Sequence, residues 1–114
     1  MLHPVKLVVL IMLVFTFVVH TPQRAKAALT PLPKWWLSDA MCIHRYEGAW
    51  HDPDAPYYGG MQFDLKTWWA NGGRRFATYP NVATAKEQLH VAYWTWRKRG
   101  WHPWPNTAHY CGLI

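Results

Sequence analysis

An apolar run near the N-terminus decides how much of this 114-residue chain is left to fold into a domain. Residues 7–19 are apolar except for Thr16, and a short, weakly basic segment, residues 1–6, precedes them. A helix of that length rises about 20 Å, which is short for a hydrocarbon core of about 30 Å. Ala25-Lys26-Ala27 then fits the small-x-small pattern of a cleavage site. We therefore predict a secretory signal peptide over residues 1–27, cleaved after Ala27. An uncleaved membrane anchor is the alternative.

The exported remainder is short enough to form only one domain. Residues 28–114 carry nine Lys or Arg against six Asp or Glu, a net charge of +3. Aromatic residues make up 17% of the chain and charged residues 16%, a composition that excludes a disordered polar or acidic tract. We predict a linker over residues 28–34 and a monomeric domain over residues 35–114, with membrane contact only during export.

Two cysteines lie near the two ends of the predicted domain, Cys42 and Cys111. Outside the cytosol such a pair is expected to form a disulfide, which would stabilise the domain by about 4 kcal/mol. Because His44 and His109 each lie two residues from a cysteine, a zinc site is the alternative. On one helix, however, Cys42 and His44 would point about 200° apart, a poor arrangement for joint chelation. We predict the disulfide, with no metal and no cofactor.

Two short helices are indicated in the first half of the domain. Apolar spacing predicts a helix over residues 35–46, which Gly48 can end. Pro and Gly residues exclude a regular helix over residues 52–60, and residues 61–63 are a short extended piece at most. Asp64 can cap a second helix over residues 65–70.

A longer helix is indicated in the second half, where Thr84 and Glu87 form a capping box. Its predicted apolar face follows the i, i+3, i+4, i+7 spacing and comprises Leu89, Ala92, Tyr93 and Trp96. Gly100 is placed to end it, and the tail beyond contains prolines that exclude one continuous helix. We therefore predict a mostly helical α+β domain with three helices and little strand.

Glu47 is the residue best suited to acid–base chemistry. The other glutamate, Glu87, already has a capping role, whereas Glu47 lies at a helix end with Trp50 close by. Partial burial among aromatic rings favours the protonated form of a carboxyl group, which is what a general acid for glycosidic cleavage requires. The alternative is a surface glutamate that pairs with Arg45 or Lys34.

A long motif resembles a known family of bacterial wall proteins. Residues 57–64 (YYGGMQFD), Thr67-Trp68 and residues 70–73 (ANGG) resemble the central motif of the resuscitation-promoting factor, or transglycosylase-like, family. The resemblance continues in the same order through Glu87-Gln88, Gly100-Trp101, Trp104-Pro105 and Cys111, and covers roughly residues 35–112. Members are secreted muralytic proteins. The resemblance implies a small lysozyme-like domain with one disulfide that acts on peptidoglycan glycan strands.

Carried over position by position, the resemblance implies that Glu47 is the catalytic acid. It places three polar residues along the sugar cleft: Gln62, Asp64 and Thr67. Aromatic rings at motif or loop positions are expected to face the sugar, namely Trp50, Tyr58 and Trp68, with Tyr57, Trp101 and Trp104 as further candidates. The Cys42–Cys111 disulfide would match the single disulfide that the resemblance implies.

The sequence departs from the family pattern at the catalytic helix end. In the family the first cysteine is followed directly by the catalytic glutamate, and a tryptophan comes five positions later. Here Glu47 comes five residues after Cys42, and Trp50 only three residues after Glu47. We predict that the Glu47 carboxyl group reaches the position of the family's catalytic glutamate despite this shift along the helix. The alternative is that the domain binds peptidoglycan without cutting it.

A single acid favours the lytic transglycosylase reaction, in which the N-acetyl group of the substrate assists and the 6-hydroxyl closes a 1,6-anhydro ring. A lysozyme-type hydrolysis needs a second carboxylate, for which Asp64 is the candidate in the motif. The basic residues at 74–75 and 97–99 suit attraction to anionic wall polymers. No nucleic-acid partner is expected, and a second wall hydrolase is a candidate partner.

Overall fold

A computed structural model of the chain describes residues 13, 14, 16 and 29–114. The predicted signal peptide lies almost entirely outside these residues and stays a prediction. The described part contains four α-helices, α1 (Lys34–Glu47), α2 (Leu65–Ala70), α3 (Ala85–Arg99) and α4 (Pro105–Tyr110). Two 3-10 turns, Gly73–Arg75 and Pro80–Val82, connect α2 to α3. Within this part of the chain we find no helix that is long and apolar enough to cross a membrane.

The mostly helical fold is confirmed, and side-chain caps explain where α2 and α3 begin. Asp64 accepts the backbone N–H of Thr67 at 2.6 Å and starts α2. Thr84 and Glu87 form both bonds of the capping box at the start of α3. Helix α4 was not predicted, because its six residues are too few to show a periodicity. In the described residues β structure is limited to one bridge, between Tyr58 and Phe63.

The buried face of α3 is not the face that its apolar spacing predicted. The buried residues of this helix are Glu87, Gln88, His90, Val91, Ala92 and Thr95. Of the predicted face only Ala92 is fully buried, while Leu89, Tyr93 and Trp96 are partly buried around the core. The physical reason is that polar side chains on this face satisfy their hydrogen bonds internally, as Thr95 does by donating to the Val91 carbonyl at 2.7 Å.

Tryptophan rings make up much of the core. Trp36 is fully buried and stacks on Trp101 with ring centroids 5.7 Å apart. Two other buried indoles satisfy their N–H groups on backbone carbonyls: Trp68 donates to Ala77 at 2.8 Å and Trp104 donates to Met61 at 2.7 Å. A core of this size therefore buries large rings without leaving these two donors unpaired.

The predicted disulfide between Cys42 and Cys111 is present. It joins α1 to the residue that follows α4, across a sequence separation of 69. Both sulfur atoms are used in this bond, so the zinc site considered as an alternative is wrong.

The side chain of Gln88 joins α3 to two loops inside the core. It is fully buried, and its amide nitrogen donates to the carbonyls of Trp50 at 2.8 Å and Ala83 at 3.0 Å. Its amide oxygen accepts the backbone N–H of Gly60 at 2.9 Å. Every polar atom of the Gln88 side chain is therefore paired, and each partner is a backbone group that would otherwise be buried without a bond.

We predict that Gln88→Leu lowers the free energy of unfolding by at least about 3 kcal/mol, because leucine fills a similar volume but leaves three backbone groups unpaired. Chemical denaturation of the purified protein measures the change. Lys86→Leu, at an exposed position of the same helix, is the control and should change stability by less than about 0.5 kcal/mol. A Gln88→Leu protein as stable as this control would contradict the assignment.

Candidate active site

The YYGGMQF motif forms a tight hairpin rather than the short extended piece predicted for residues 61–63. Tyr58 and Phe63 exchange backbone hydrogen bonds of 2.9 and 3.0 Å. Between them Gln62 adopts a φ of 50°, and its backbone N–H donates to the Gly59 carbonyl at 3.2 Å. The extended expectation was wrong because the chain must reverse between the two bridge residues.

The two glycines of this hairpin allow neighbouring side chains to contact its backbone. Gly59 has a φ of +76°, and a Cβ atom there would collide with the amide oxygen of Gln88. A Cβ atom on Gly60 would collide with the ring of Trp50. Trp50 in turn stacks on His44 with ring centroids 3.8 Å apart. The Gly-Gly pair is therefore required by close packing at the base of the hairpin.

Gln62 and Asp52 pack together against the end of the first helix. The amide nitrogen of Gln62 donates to Oδ2 of Asp52 at 2.9 Å and to the Gly59 carbonyl at 2.8 Å. A Cβ atom on Gly48 would lie 2.8 Å from that nitrogen and 3.3 Å from the Asp52 oxygen. The amide and the carboxylate thus lie directly beside the residue that follows Glu47, so the structure brings the predicted site residue Gln62 close to Glu47.

Glu47 is the last residue of α1 and is partly exposed. Its Oε1 atom accepts a hydrogen bond from the hydroxyl of Thr107 on α4, a residue that is itself buried. Among the described residues, Oε2 accepts no hydrogen bond. The protein therefore holds one carboxylate oxygen, and the other has no protein partner in the described part of the chain.

Asp52 and Thr107 were not recognised as site residues from the sequence. Asp52 lies in a turn, where its Oδ1 accepts the backbone N–H of Asp54 at 3.0 Å as in an Asx turn. The sequence carries no sign of its second contact, with Gln62. Thr107 lies 60 residues from Glu47 along the chain, in a helix that had not been predicted.

An exposed aromatic pair, Tyr46 and Tyr110, lies next to the glutamate. Their rings stack with centroids 5.9 Å apart, and the side chains are 59% and 81% exposed. Tyr46 precedes Glu47 in α1, and Tyr110 follows Thr107 by three residues in α4. The two helices that are joined by the Glu47–Thr107 hydrogen bond therefore also present exposed aromatic rings, of the kind on which a sugar ring can stack.

Asp64 and Thr67 are bonded to each other. The backbone N–H of Thr67 donates to Oδ1 of Asp64 at 2.6 Å, and its hydroxyl donates to Oδ2 at 3.1 Å. Both carboxylate oxygens of Asp64 are thus used at the start of α2, which agrees with the capping role. Their place in a sugar cleft stays a prediction.

The predicted sugar-facing rings fall into two groups. Trp68 is fully buried, as Trp104 and Trp101 nearly are, so these rings pack in the core and are not available to a sugar. Their selection was wrong because a motif or loop position does not decide whether an indole turns inward, and the N–H groups of Trp68 and Trp104 find carbonyl partners inside the fold. Trp50 and Tyr58 are partly exposed, and Tyr57 is 51% exposed.

Comparison with known proteins places this arrangement in a family. The transglycosylase-like domain family matches residues 44–107, which include Glu47, the hairpin and Thr107. The chain belongs to the transglycosylase-like domain family. The resemblance drawn from the motif to the resuscitation-promoting factors is thereby confirmed.

Three curated relatives of this transglycosylase-like domain are resuscitation-promoting factors. Rpf1 of Corynebacterium glutamicum is 46% identical over 57 residues, which is 50% of this chain and 30% of the relative. RpfB of Mycolicibacterium smegmatis is 47% identical over 49 residues, 43% of this chain and 14% of the relative. Rpf of Micrococcus luteus is 39% identical over 57 residues, 50% of this chain and 24% of the relative. The similarity therefore spans less than a third of each relative.

We predict that the effect of Gly48→Ala on the free energy of unfolding depends on the side chain at position 62. In the wild-type background the new methyl group displaces the Gln62 amide from Asp52, at a cost of about 1 kcal/mol or more. In a Gln62→Ala background the same change should be neutral or stabilising, because Gly48 has an extended φ of 177° that alanine adopts and alanine reduces the entropy of the unfolded chain. Denaturation of the four proteins of this cycle measures both effects. Equal effects in the two backgrounds would contradict the contact.

Proposed function

We propose that this protein is an exported enzyme that cleaves the glycan strand of peptidoglycan, with Glu47 as general acid and base. The observation that carries the proposal is the state of the Glu47 carboxyl group, which the buried Thr107 holds through one oxygen while the other accepts no hydrogen bond from the described residues. The family to which the chain belongs and the names of its relatives support the choice of a glycan substrate.

The proposed reaction needs one proton donor. Oε2 of the protonated Glu47 donates its proton to the glycosidic oxygen as the bond to the anomeric carbon breaks. The N-acetyl group of the sugar stabilises the positive charge that develops on that carbon. The sugar's own 6-hydroxyl then attacks the carbon and gives its proton back to Glu47. The product is a 1,6-anhydro sugar, and the enzyme returns to its starting state without a metal or cofactor.

Gln62 and Asp52 are proposed to position the sugar beside Glu47. The carboxylate of Asp52 accepts hydrogen bonds from Gln62 and from the backbone N–H of Asp54, so its negative charge is held in a defined orientation. If a second carboxylate contributes at all, the geometry favours Asp52 over Asp64, whose oxygens are both bonded to Thr67. The exposed pair Tyr46 and Tyr110 offers a stacking surface for a neighbouring sugar.

Export is part of the same proposal, because the substrate lies outside the cell. We infer that the signal peptide over residues 1–27 is cleaved after Ala27 and that the domain acts at the cell wall as a monomer. A second wall hydrolase that degrades the released fragments is a candidate partner.

We predict that Glu47→Gln lowers the release of soluble muropeptides from isolated peptidoglycan by at least about 100-fold. Glutamine keeps an acceptor for Thr107 but has no proton to give. Mass spectrometry of the products identifies 1,6-anhydro ends. Asp39→Asn, which removes a carboxylate elsewhere on the same helix, should leave the activity unchanged, and equal unfolding midpoints would show that both variants fold.

Other outcomes of this experiment would reject the proposal in distinct ways. A fully active Glu47→Gln protein would exclude Glu47 as the acid. If the wild type releases nothing but still sediments with peptidoglycan, the domain is a non-catalytic binding module, the alternative that the shifted Cys–Glu spacing suggests.

We predict that Asp52→Asn lowers the rate by less than about tenfold and leaves the product anhydro, because asparagine can still accept the hydrogen bond from Gln62. Product analysis of this variant, with the exposed Asp54→Asn as its control, measures both quantities. Reducing-end products from the wild type that disappear in Asp52→Asn would instead indicate hydrolysis with Asp52 as the second carboxylate.

A further inference from the structure

A second concave surface lies between α2, the turn that follows it, and the C-terminal half of α3. This groove has a volume of about 640 Å³. Its lining comprises Trp69, Ala70, Asn71, Gly72, Arg75, Trp94, Arg97 and Lys98. None of these residues belongs to the arrangement around Glu47, Asp52 and Gln62, so the groove is a separate feature of the domain.

The charge of the groove is entirely positive. Three of its eight lining residues are cations, Arg75, Arg97 and Lys98, and none is acidic. All three side chains are exposed. Across residues 28–114, five of the nine Lys and Arg residues fall at positions 74–75 and 97–99, whereas no acidic residue does. A concave surface lined by one sign of charge concentrates ions of the opposite sign.

Two indole rings form the apolar part of the groove and hold the nearby arginines in place. The guanidinium of Arg74 lies 4.0 Å from the centroid of the Trp69 ring, and that of Arg75 lies 5.5 Å from the Trp94 ring. Trp94 is itself fixed by stacking on Phe76 at 5.8 Å. Cation–π contacts of this kind orient a guanidinium but leave its N–H groups free to bind an anion.

Gly72 lines the groove in a left-handed backbone conformation. It has a φ of +87°, and a Cβ atom there would lie 3.5 Å from the Trp94 ring and 3.8 Å from the Arg75 side chain. The positive φ therefore favours glycine at a point close to both the cation and the ring. The partly buried Trp94 ring and the backbone at Gly72 belong to the folded domain, and the exposed cations line the same groove.

We propose that this groove binds an anionic glycopolymer, a chain of sugar or polyol units that carries phosphate or carboxylate groups. Guanidinium groups match the geometry of both anions, and the indole faces suit the apolar faces of the units between them. A single small anion would leave the indoles unused, and a neutral glycan would leave the cations unused. The groove would thus hold the domain on a charged wall polymer while the surface around Glu47 meets the glycan strand.

Direct binding tests this proposal independently of catalysis. The probes are poly(glycerol phosphate) and polygalacturonate of equal charge number, which separate phosphate from carboxylate recognition, with a neutral glycan and a single-stranded oligonucleotide for comparison. The double variant Arg97→Gln/Lys98→Gln should bind at least one of the two anionic polymers about tenfold more weakly than the wild type. Lys34→Gln/Lys86→Gln has the same net charge but places both changes at exposed positions outside the groove, and should lose less than about twofold.

The outcomes distinguish a specific polymer-binding site in the groove from attraction that depends only on the net charge of the protein. Equal losses in the two double variants would overturn the proposal, because binding would then depend on net charge alone. So would the absence of binding to both polymers, or a clear preference for the oligonucleotide. Arg97→Gln/Lys98→Gln should release muropeptides from polymer-free peptidoglycan at the wild-type rate. Loss of polymer binding and loss of glycan cleavage are therefore measured separately, and either proposal can fail alone.

Discussion

The buried amide of Gln88 is the interaction on which the rest of the domain depends. It brings α3 together with the backbone at Trp50, Gly60 and Ala83, three points that are otherwise held by no common secondary structure. A sheet would satisfy such backbone groups with a ladder of hydrogen bonds. Here β pairing in the described residues amounts to one bridge, so a glutamine side chain takes over that task inside the core.

This arrangement explains how a small helical domain can hold a precise site on irregular backbone. Gln88 fixes the base of the hairpin, and the hairpin directs Gln62 toward Asp52 and the end of α1. On the other side, the disulfide and the contact with Thr107 hold α4 against that same helix end. Glu47 is therefore positioned from two directions, although the segment that follows it has no regular structure.

The aromatic residues divide between the core, where they stabilise the fold, and the surface, where they are accessible to a ligand. The largest rings, such as Trp36 and Trp68, fill the core and satisfy packing in a chain too short for many aliphatic layers. Among the rings that stay exposed, Tyr46 and Tyr110 lie on the two helices that the Glu47–Thr107 hydrogen bond joins, and Trp69 lies in the basic groove. A high aromatic content thus indicates a stable small domain first and a ligand surface only where rings remain accessible.

The sequence by itself determined the first three helices, the family and the disulfide of this domain. The caps at Asp64 and Thr84 could be recognised because a cap depends only on residues within one turn, and the motif is a contiguous string. The tertiary structure alone revealed Thr107 as the partner of Glu47, and Asp52 and Gln88 as partners of the hairpin. These contacts join polar groups that lie 10 to 60 residues apart, in loops without periodicity. A polar side chain gives no sign of whether it meets water or a buried partner until the fold brings the two together.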